Sequence, residues 1–357
     1  MPLNYWRRVT WPDRLLLLAP AAIAAEYAGL DPLIVFALSA LALVPLAGKI
    51  GQSTEELAAY LGTHAGILLN VSLGNAVEFI IALLAIQHGL FDLVKASITG
   101  TIIGNVLAGL GLAFFVGGMR FAEQRFDTRN AGLNSTLLLL GVTAILIPSA
   151  FFYFSPADSA LRAGEAQSLS LLVAVLLLAL YCLSLLFSLK THSFLFARPT
   201  DVKPRWSLPA TVAILLGSTV LAAWVSEIFV SGIAPVASQW GLGQVFIGAV
   251  LVALVGSATE FLLAVRAALR NNLELSITLT VGSSIQTAFF VAPLLVLLSA
   301  AMGTPMNLVF SLFELLALFA SVLIVNEIAS DGQTNWFEGA LLGVTYLIMA
   351  GMFFFVH

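Results

Sequence analysis

The chain has 357 residues, 60% of them hydrophobic and only 10% charged, with a mean hydropathy of +1.02. Soluble globular domains carry about 45–50% apolar and about 25% charged residues, so charge this sparse cannot cover a water-soluble surface. Such a composition also excludes disorder, and a net charge of −4 without a dense basic patch excludes a nucleic-acid binder. What remains is a polytopic, all-α membrane protein whose first partner is the lipid bilayer.

A spanning helix needs about 20 mainly apolar residues. Eleven such segments lie near 13–29, 31–49, 64–87, 95–118, 133–154, 166–188, 208–228, 243–267, 276–301, 306–326 and 335–356. Asp31-Pro32 breaks the first hairpin, and Gly117-Gly118 closes the fourth span. Ser155-Pro156-Ala157-Asp158 follows the fifth, and Asp331-Gly332 precedes the last. Ten spans with a different start is the chief alternative. Arg7, Arg8 and Arg14 precede the first apolar run with no cleavage site behind it, which reads as a topogenic anchor rather than a signal peptide. With the N-terminus cytoplasmic, thirteen Lys and Arg fall inside and only Lys95 and Arg162 outside, which places the C-terminus outside. No organellar targeting is visible, and the N-terminus is short, pointing to a prokaryotic plasma membrane. A homo-oligomer is left open. Cys182, the single cysteine, lies in a Leu-rich run and reads as a buried free thiol.

The polar connection from Lys190 to Ser207 divides the chain into helix 1 (1–30), a five-helix repeat (31–188), a cytoplasmic linker (189–207) and a second five-helix repeat (208–357). Gly74-Asn75-Ala76-Val77-Glu78-Phe79 aligns with Gly256-Ser257-Ala258-Thr259-Glu260-Phe261. From 74–83 against 256–265, five of ten positions are identical, and the same offset of 182 brings Gly100 onto Gly282. Five spans per half is odd, so the second repeat starts from the opposite side. The repeats are therefore inverted in topology, an architecture that places transporter sites at the repeat interface.

Glu78 and Glu260 sit well inside the third and eighth spans. A charge near the bilayer centre costs roughly 2.5–3.5 kcal/mol even on the lenient insertion scale, so such residues mark ion or proton pathways. Helical spacing adds Ser72 and Asn75 to the face of Glu78, and Ser257 to that of Glu260. Gly74 and Gly256 leave room for close helix approach or for a break that frees carbonyls. Asn105 lies inside the fourth span, and Ser283, Ser284 and Gln286 inside the ninth. This oxygen-rich set suits Ca²⁺, which takes six to eight oxygen ligands, and lacks the soft ligands of copper or thiolate zinc. Two carboxylates neutralise a divalent ion, and when it leaves, burial and mutual repulsion favour protons in its place. Neutral states with either Ca²⁺ or two protons are the physical basis of exchange. No cofactor is implied, and the transported ions are Ca²⁺ and H⁺.

Glu314 falls near the middle of the tenth span, where it serves either a proton pathway or an interhelical hydrogen bond. Ser53-Thr54-Glu55-Glu56 reads as a capping box at the entry of the third span. A passive channel would need rings of ligands along a wetted pore. An intramembrane enzyme is disfavoured because no aspartate or histidine is deep and no His-Glu-x-x-His occurs.

From about Thr54 to the end, the chain resembles the calcium/proton exchanger (CAX) family of the calcium/cation antiporter superfamily. Thr54-Glu55-Glu56-Leu57-Ala58 through Gly74-Asn75-Ala76-Val77-Glu78 is similar to its first repeat motif. Gly117-Gly118-Met119-Arg120, Glu123-Gln124-Arg125-Phe126 and Asn134-Ser135 resemble its connecting segment, and Ser188-Leu189-Lys190-Thr191-His192 the end of its sixth helix. Gly282-Ser283-Ser284-Ile285-Gln286, Asp331-Gly332, Asn335-Trp336 and Glu338-Gly339 resemble its second half. The resemblance implies low-affinity, proton-driven Ca²⁺ export through eleven helices with inverted five-helix repeats. It implies that Glu78 and Glu260 carry ion and protons, with Asn75, Ser257 and Gln286 lining the site. The family's second motif usually reads Gly-Asn-Ala-Ala-Glu-His. Here Ser257 replaces the amide and Phe261 the imidazole, which bears on cation preference and pH dependence and keeps open an exchanger of the same fold for Na⁺, K⁺ or Mn²⁺. The family's acidic central stretch is absent, since 190–207 is basic.

Overall fold

A computed structural model describes residues 13–62, 66, 69, 72–156, 159–187, 190 and 204–356. Most of the Ser188–His192 motif, the N-terminal arginines 7 and 8, and much of 63–71 in the expected third span lie outside the described residues. Among the described residues, eleven helical runs fall on the eleven expected segments. They are α1 (Leu18–Tyr27, entered by a 3-10 turn at Asp13–Leu17), α2 (Pro32–Leu61), α3 (Ala76–Gln87), α4 (Phe91–Arg120), α5 (Thr128–Phe154) and α6 (Ser159–Leu186). After the linker come α7 (Leu208–Trp240), α8 (Gln244–Ala268), α9 (Leu273–Ala301), α10 (Leu312–Ile328) and α11 (Trp336–Phe354). Among the described residues, eight helices are long and apolar enough to cross a membrane, and α1, α3 and α10 are shorter. The fold is that of an all-α polytopic membrane protein.

Two compact units emerge, one of Met1–Leu84 with Tyr181–Gly241 and one of Ala85–Leu180 with Leu242–His357. Each draws on both halves of the chain, because the divisions fall inside α3 and α6 and at the end of α7.

In the first unit, α2 starts where the Asp31 carboxylate accepts the Leu33 N–H at 2.9 Å, with Pro32 at the first helical position. It packs along α1 and α7, with Phe36 stacked on Phe229 at 4.7 Å between ring centroids. The helix continues past its expected end at 49 to Leu61. Ser53 and Thr54 therefore form no capping box. Their hydroxyls donate to the Lys49 and Ile50 carbonyls one turn back, both at 2.8 Å, so neither side chain competes with the helix. Glu55 and Glu56 are buried, and a Glu56 carboxylate oxygen accepts the Arg205 backbone N–H at 2.7 Å. The Tyr60 hydroxyl donates to the Trp206 carbonyl, and the Lys49 ammonium lies 5.2 Å from the Trp206 ring centroid. The end of the linker is thus strapped to α2.

In the second unit, burial separates an inner layer from an outer one. In α4, 72% of the most apolar window is buried, against 22% in α11. Glycines set the inner spacing. A Cβ on Gly100 would stand 2.2 Å from the Ala249 carbonyl oxygen, and one on Gly248 2.5 Å from that of Leu93, so α4 and α8 touch backbone to backbone. Gly100→Ala is expected to cost about 3 kcal/mol, the upper end for overpacking, because backbone cannot yield as a side chain does. Thermal unfolding in detergent measures it. Gly217→Ala, with nothing within 4 Å, serves as the neutral comparison.

Loops gather at opposite ends of this unit, as alternating crossings require. At one end β1 (Gln124–Arg125) pairs antiparallel with β2 (Gln333–Thr334), and the Gln124 amide donates to the Ala268 carbonyl and to Asn271 Oδ1, both at 2.9 Å. At the other end the chain from Thr304 to Ser311 is not helical, correcting the expected helical start at 306. Non-helical backbone survives in such surroundings only where its polar groups are satisfied by protein. Ser149 Oγ donates to the Leu308 carbonyl and accepts the Phe310 N–H, each at 2.9 Å. Ser170 Oγ accepts the Leu308 N–H at 3.0 Å, and Ser299 Oγ accepts the Met306 N–H at 2.9 Å. Met306, Leu308 and Phe310 are each at most 1% exposed, and this apolar alternation is what made the segment read as helix.

Cys182 is exposed rather than buried. It shares α6 with the exposed Leu176, Leu180, Leu183 and Leu186. A Leu-rich face satisfies lipid as well as it satisfies a protein core, so leucines alone could not separate the two.

Candidate cation site

In the first unit, the expected third span is not one continuous helix. Ser72 and Leu73 are helical, Gly74 and Asn75 form a turn, and α3 begins at Ala76. The Asn75 carbonyl accepts the Phe79 N–H at 3.0 Å, which puts Asn75 immediately before α3 and Glu78 in its first turn. A carboxylate there is favoured by the helix dipole. Asn75 is 7% exposed, and its amide nitrogen has no hydrogen-bond partner among the described residues. Glu78 is half-buried. Gly74 therefore supplies a break. Gly256, its counterpart in the alignment, lies buried inside continuous helix at Ala253–Ala268.

The second unit carries the other candidates on three mutually packed elements. Asn105 sits in a π-helical stretch, Gly104–Gly109, within α4. Ser257 and Glu260 lie on α8, which has its own π stretch at Ile247–Val252, and Ser283 and Gln286 lie on α9, just before the π stretch at Thr287–Val291 that matches the one in α4. The Asn105 stretch packs on both α8 and α9, which also pack on each other. Applied to Gly104–Gly109, the repeat offset of 182 gives 286–291, so the two π stretches coincide in the alignment. Single π turns recur at functional sites because the extra residue turns side chains out of the i→i−4 ladder.

Hydrogen bonding separates candidate ligands from ordinary helix hydroxyls. Thr280, Ser284 and Thr287 each donate to the carbonyl four residues back, at 3.0 Å in every case. Ser283 Oγ, Thr259 Oγ1 and both amide atoms of Asn105 have no hydrogen-bond partner among the described residues, although Asn105 is 0%, Thr259 3% and Ser283 7% exposed. A buried polar group left unsatisfied costs about 1–3 kcal/mol, so three together call for a bound ion or water. Ser257 is fully buried, and Glu260 and Gln286 are half-buried. Thr259 was missed by sequence reasoning. No signal in the sequence tells a threonine that bonds back along its own helix from one that does not.

Phe261 packs its ring over the Asn105 stretch. A Cβ on Gly109 would stand 2.6 Å from Phe261 Cδ1, and one on Gly104 3.5 Å from Cζ. Glu314 stands apart from this set, in the first turn of α10 rather than mid-span. Its carboxylate accepts the Ser311 N–H at 2.8 Å in a capping box with Ser311, and the Thr99 hydroxyl donates to it from α4 at 3.2 Å. Among the described residues no group of three His, Cys, Asp or Glu converges, so any cation would rest on carboxylate, amide and hydroxyl oxygen.

The model of the sodium/calcium exchanger protein family matches residues 32–190 and 210–355. The chain is 41% identical over 360 residues to a Ca(2+)/H(+) antiporter of Synechocystis sp., spanning 96% of each chain. It is 38% identical over 330 residues to the Ca(2+)/H(+) antiporter ChaA of Bacillus subtilis, spanning 90% of this chain and 92% of that one. The solved structure of native YfkE superposes with a TM-score of 0.82 at 34% identity, over 96% of this chain and 98% of that one.

Proposed function

The chain belongs to the sodium/calcium exchanger protein family, and we propose that it is a secondary antiporter that moves Ca²⁺ out of the cell in exchange for H⁺ by alternating access. Glu78 and Glu260 bind Ca²⁺ or protons in competition, and Asn75, Asn105, Ser257, Ser283 and Gln286 supply neutral oxygens. The protein works as a transporter and not as an enzyme, in a prokaryotic plasma membrane, with the N-terminus inside and the C-terminus outside. The observation that carries this reading is the fully buried Asn105, both amide atoms open, on a π stretch packed against the helix of Glu260. An amide carbonyl beside hydroxyls and a carboxylate is the hard-oxygen chemistry that Ca²⁺ selects.

Everted membrane vesicles loaded with acid test it. Ca²⁺ should accumulate against its gradient when ΔpH is imposed and leave when ΔpH is collapsed. Mn²⁺, Na⁺ and K⁺ should compete weakly under the same gradient. Uptake that follows a Na⁺ or K⁺ gradient instead assigns the second reading, the same fold exchanging another cation, which Ser257 and Phe261 keep open. Flux that only ever runs down the Ca²⁺ gradient makes the protein a channel.

A further inference from the structure

At the end of the second unit that carries the non-helical chain, a cavity of about 250 Å³ is lined by Asp92, Lys95, Gln244, Met306 and Asn307, among others. The Lys95 ammonium sits on its wall, 2.9 Å from Asp92 Oδ1 and 3.0 Å from the Val309 carbonyl, to which it donates. One turn further along α4, the Thr99 hydroxyl donates to Glu314, which is 3% exposed. We propose that this cavity is a proton vestibule and that Glu314 is the residue through which protons pass between it and the interior. The assignment rests on the antiport reading above and adds to it a proton route apart from the cation ligands.

Charge balance gives the first argument. Asp92 and Glu314 bring two negative charges against the single positive charge of Lys95, so one proton on Glu314 makes the cluster neutral. The other titratable group facing Glu314 is Tyr153 on α5, whose hydroxyl is neutral and donates to the Phe310 carbonyl at 3.1 Å. α10 also packs on the π stretch of α4, which holds no titratable group, and on α11, which carries Glu338 in its first turn and Tyr346, whose hydroxyl is neutral. The second argument is selectivity. Lys95 is paired with Asp92, the one carboxylate of the lining, so the cavity has no surplus negative charge to hold Ca²⁺, whereas a proton passes along water and needs no ligand cage. The third is continuity. Thr99 to Asn105 is six residues of helix, about 9 Å at 1.5 Å per residue, so the partner of Glu314 and the open amide stand on one helix. The step balances simply. A hydronium ion in the cavity gives up its proton, by way of water, to a Glu314 carboxylate oxygen and remains as water, and in the reverse half-cycle Glu314 returns the proton to water as hydronium.

The test compares two transport modes of the full-length protein in vesicles. ΔpH-driven Ca²⁺ uptake needs protons, while exchange of labelled for unlabelled Ca²⁺ at equal pH does not. Glu314→Gln should lower the first on the order of 10²-fold, the lower end of what a positioned proton-transfer group contributes, and leave the second nearly unchanged. Glu314→Asp, which keeps a carboxylate, should restore part of the uptake. Full uptake in Glu314→Gln overturns the assignment. So does equal loss of both modes in Glu314→Gln and Glu314→Asp, which would make the residue a helix cap alone. Wild-type protein with isotope exchange but no ΔpH-driven uptake overturns the antiport reading itself, and this assignment with it.

Discussion

Glu260→Gln and Glu78→Gln are each expected to abolish proton-driven Ca²⁺ uptake. Glutamine keeps the length and the carbonyl oxygen of glutamate and removes only its charge, so the fold should stand while the chemistry fails. A divalent ion partly stripped of water and left with one neutralising carboxylate is in the position of a buried ion pair that has lost a partner, a loss of about 3–5 kcal/mol. That corresponds to roughly 10²–10³-fold in affinity. The same substitution removes the group that would carry the returning proton, so no gradient rescues transport. Ser257→Ala supplies the scale. It removes a neutral oxygen, with a loss of about 1 kcal/mol, and should weaken apparent Ca²⁺ affinity several-fold while leaving ΔpH coupling intact. Uptake in everted vesicles across a Ca²⁺ titration measures all three. Undiminished transport in either glutamine variant would remove the carboxylates from the ion path.

Much of the helical frame was legible because spanning segments must be long and apolar, and hydropathy reads both properties directly. The glutamates stand out as candidates for the converse reason, since a carboxylate inside such a segment has a high cost and here it recurs at a fixed offset. What escaped was set by partners distant in the chain. The non-helical run through Met306, Leu308 and Phe310 is as apolar as a helix. Side chains from other helices, Ser149, Ser170 and Ser299 together with Lys95, Tyr153 and Gln167, make it tolerable as non-helical chain. Ser53-Thr54-Glu55-Glu56 has the composition of a helix start, yet it sits inside α2, with Glu56 tied to Arg205 from the other side of the linker. The π stretches left no local mark, because the one extra residue per turn is a property of packing. The break at Gly74-Asn75 was half visible. Glycine announced it, but the aligned Gly256 lies buried in an unbroken helix, and sequence alone treats the two alike.

Phe261→His is expected to add a titration near pH 6.5 to the pH profile of Ca²⁺ uptake. An imidazole is smaller than a phenyl ring and fits where the phenyl fits, against the Gly104–Gly109 stretch and next in sequence to Glu260. Histidine is the side chain whose ordinary titration falls in this range, so a proton acceptor would enter the neighbourhood of a proposed ion ligand. Its positive form would repel the cation, so uptake should fall as pH drops through the new transition and recover above it. The same contact explains why Gly109 is glycine. Its missing Cβ leaves the space the ring occupies, and Gly109→Ala would place a carbon 2.6 Å from Phe261 Cδ1. Moving the ring aside should cost about 1–3 kcal/mol, read as a lower melting temperature in detergent and weaker uptake together. The double variant Gly109→Ala with Phe261→Leu separates this clash from any harm to the π stretch itself, because residues in direct contact couple and independent ones add. Recovery of stability in the double variant, alongside a changed pH profile in Phe261→His, would tie the ring to both the packing and the proton sensitivity of this helix. A profile unchanged by histidine would confine residue 261 to packing.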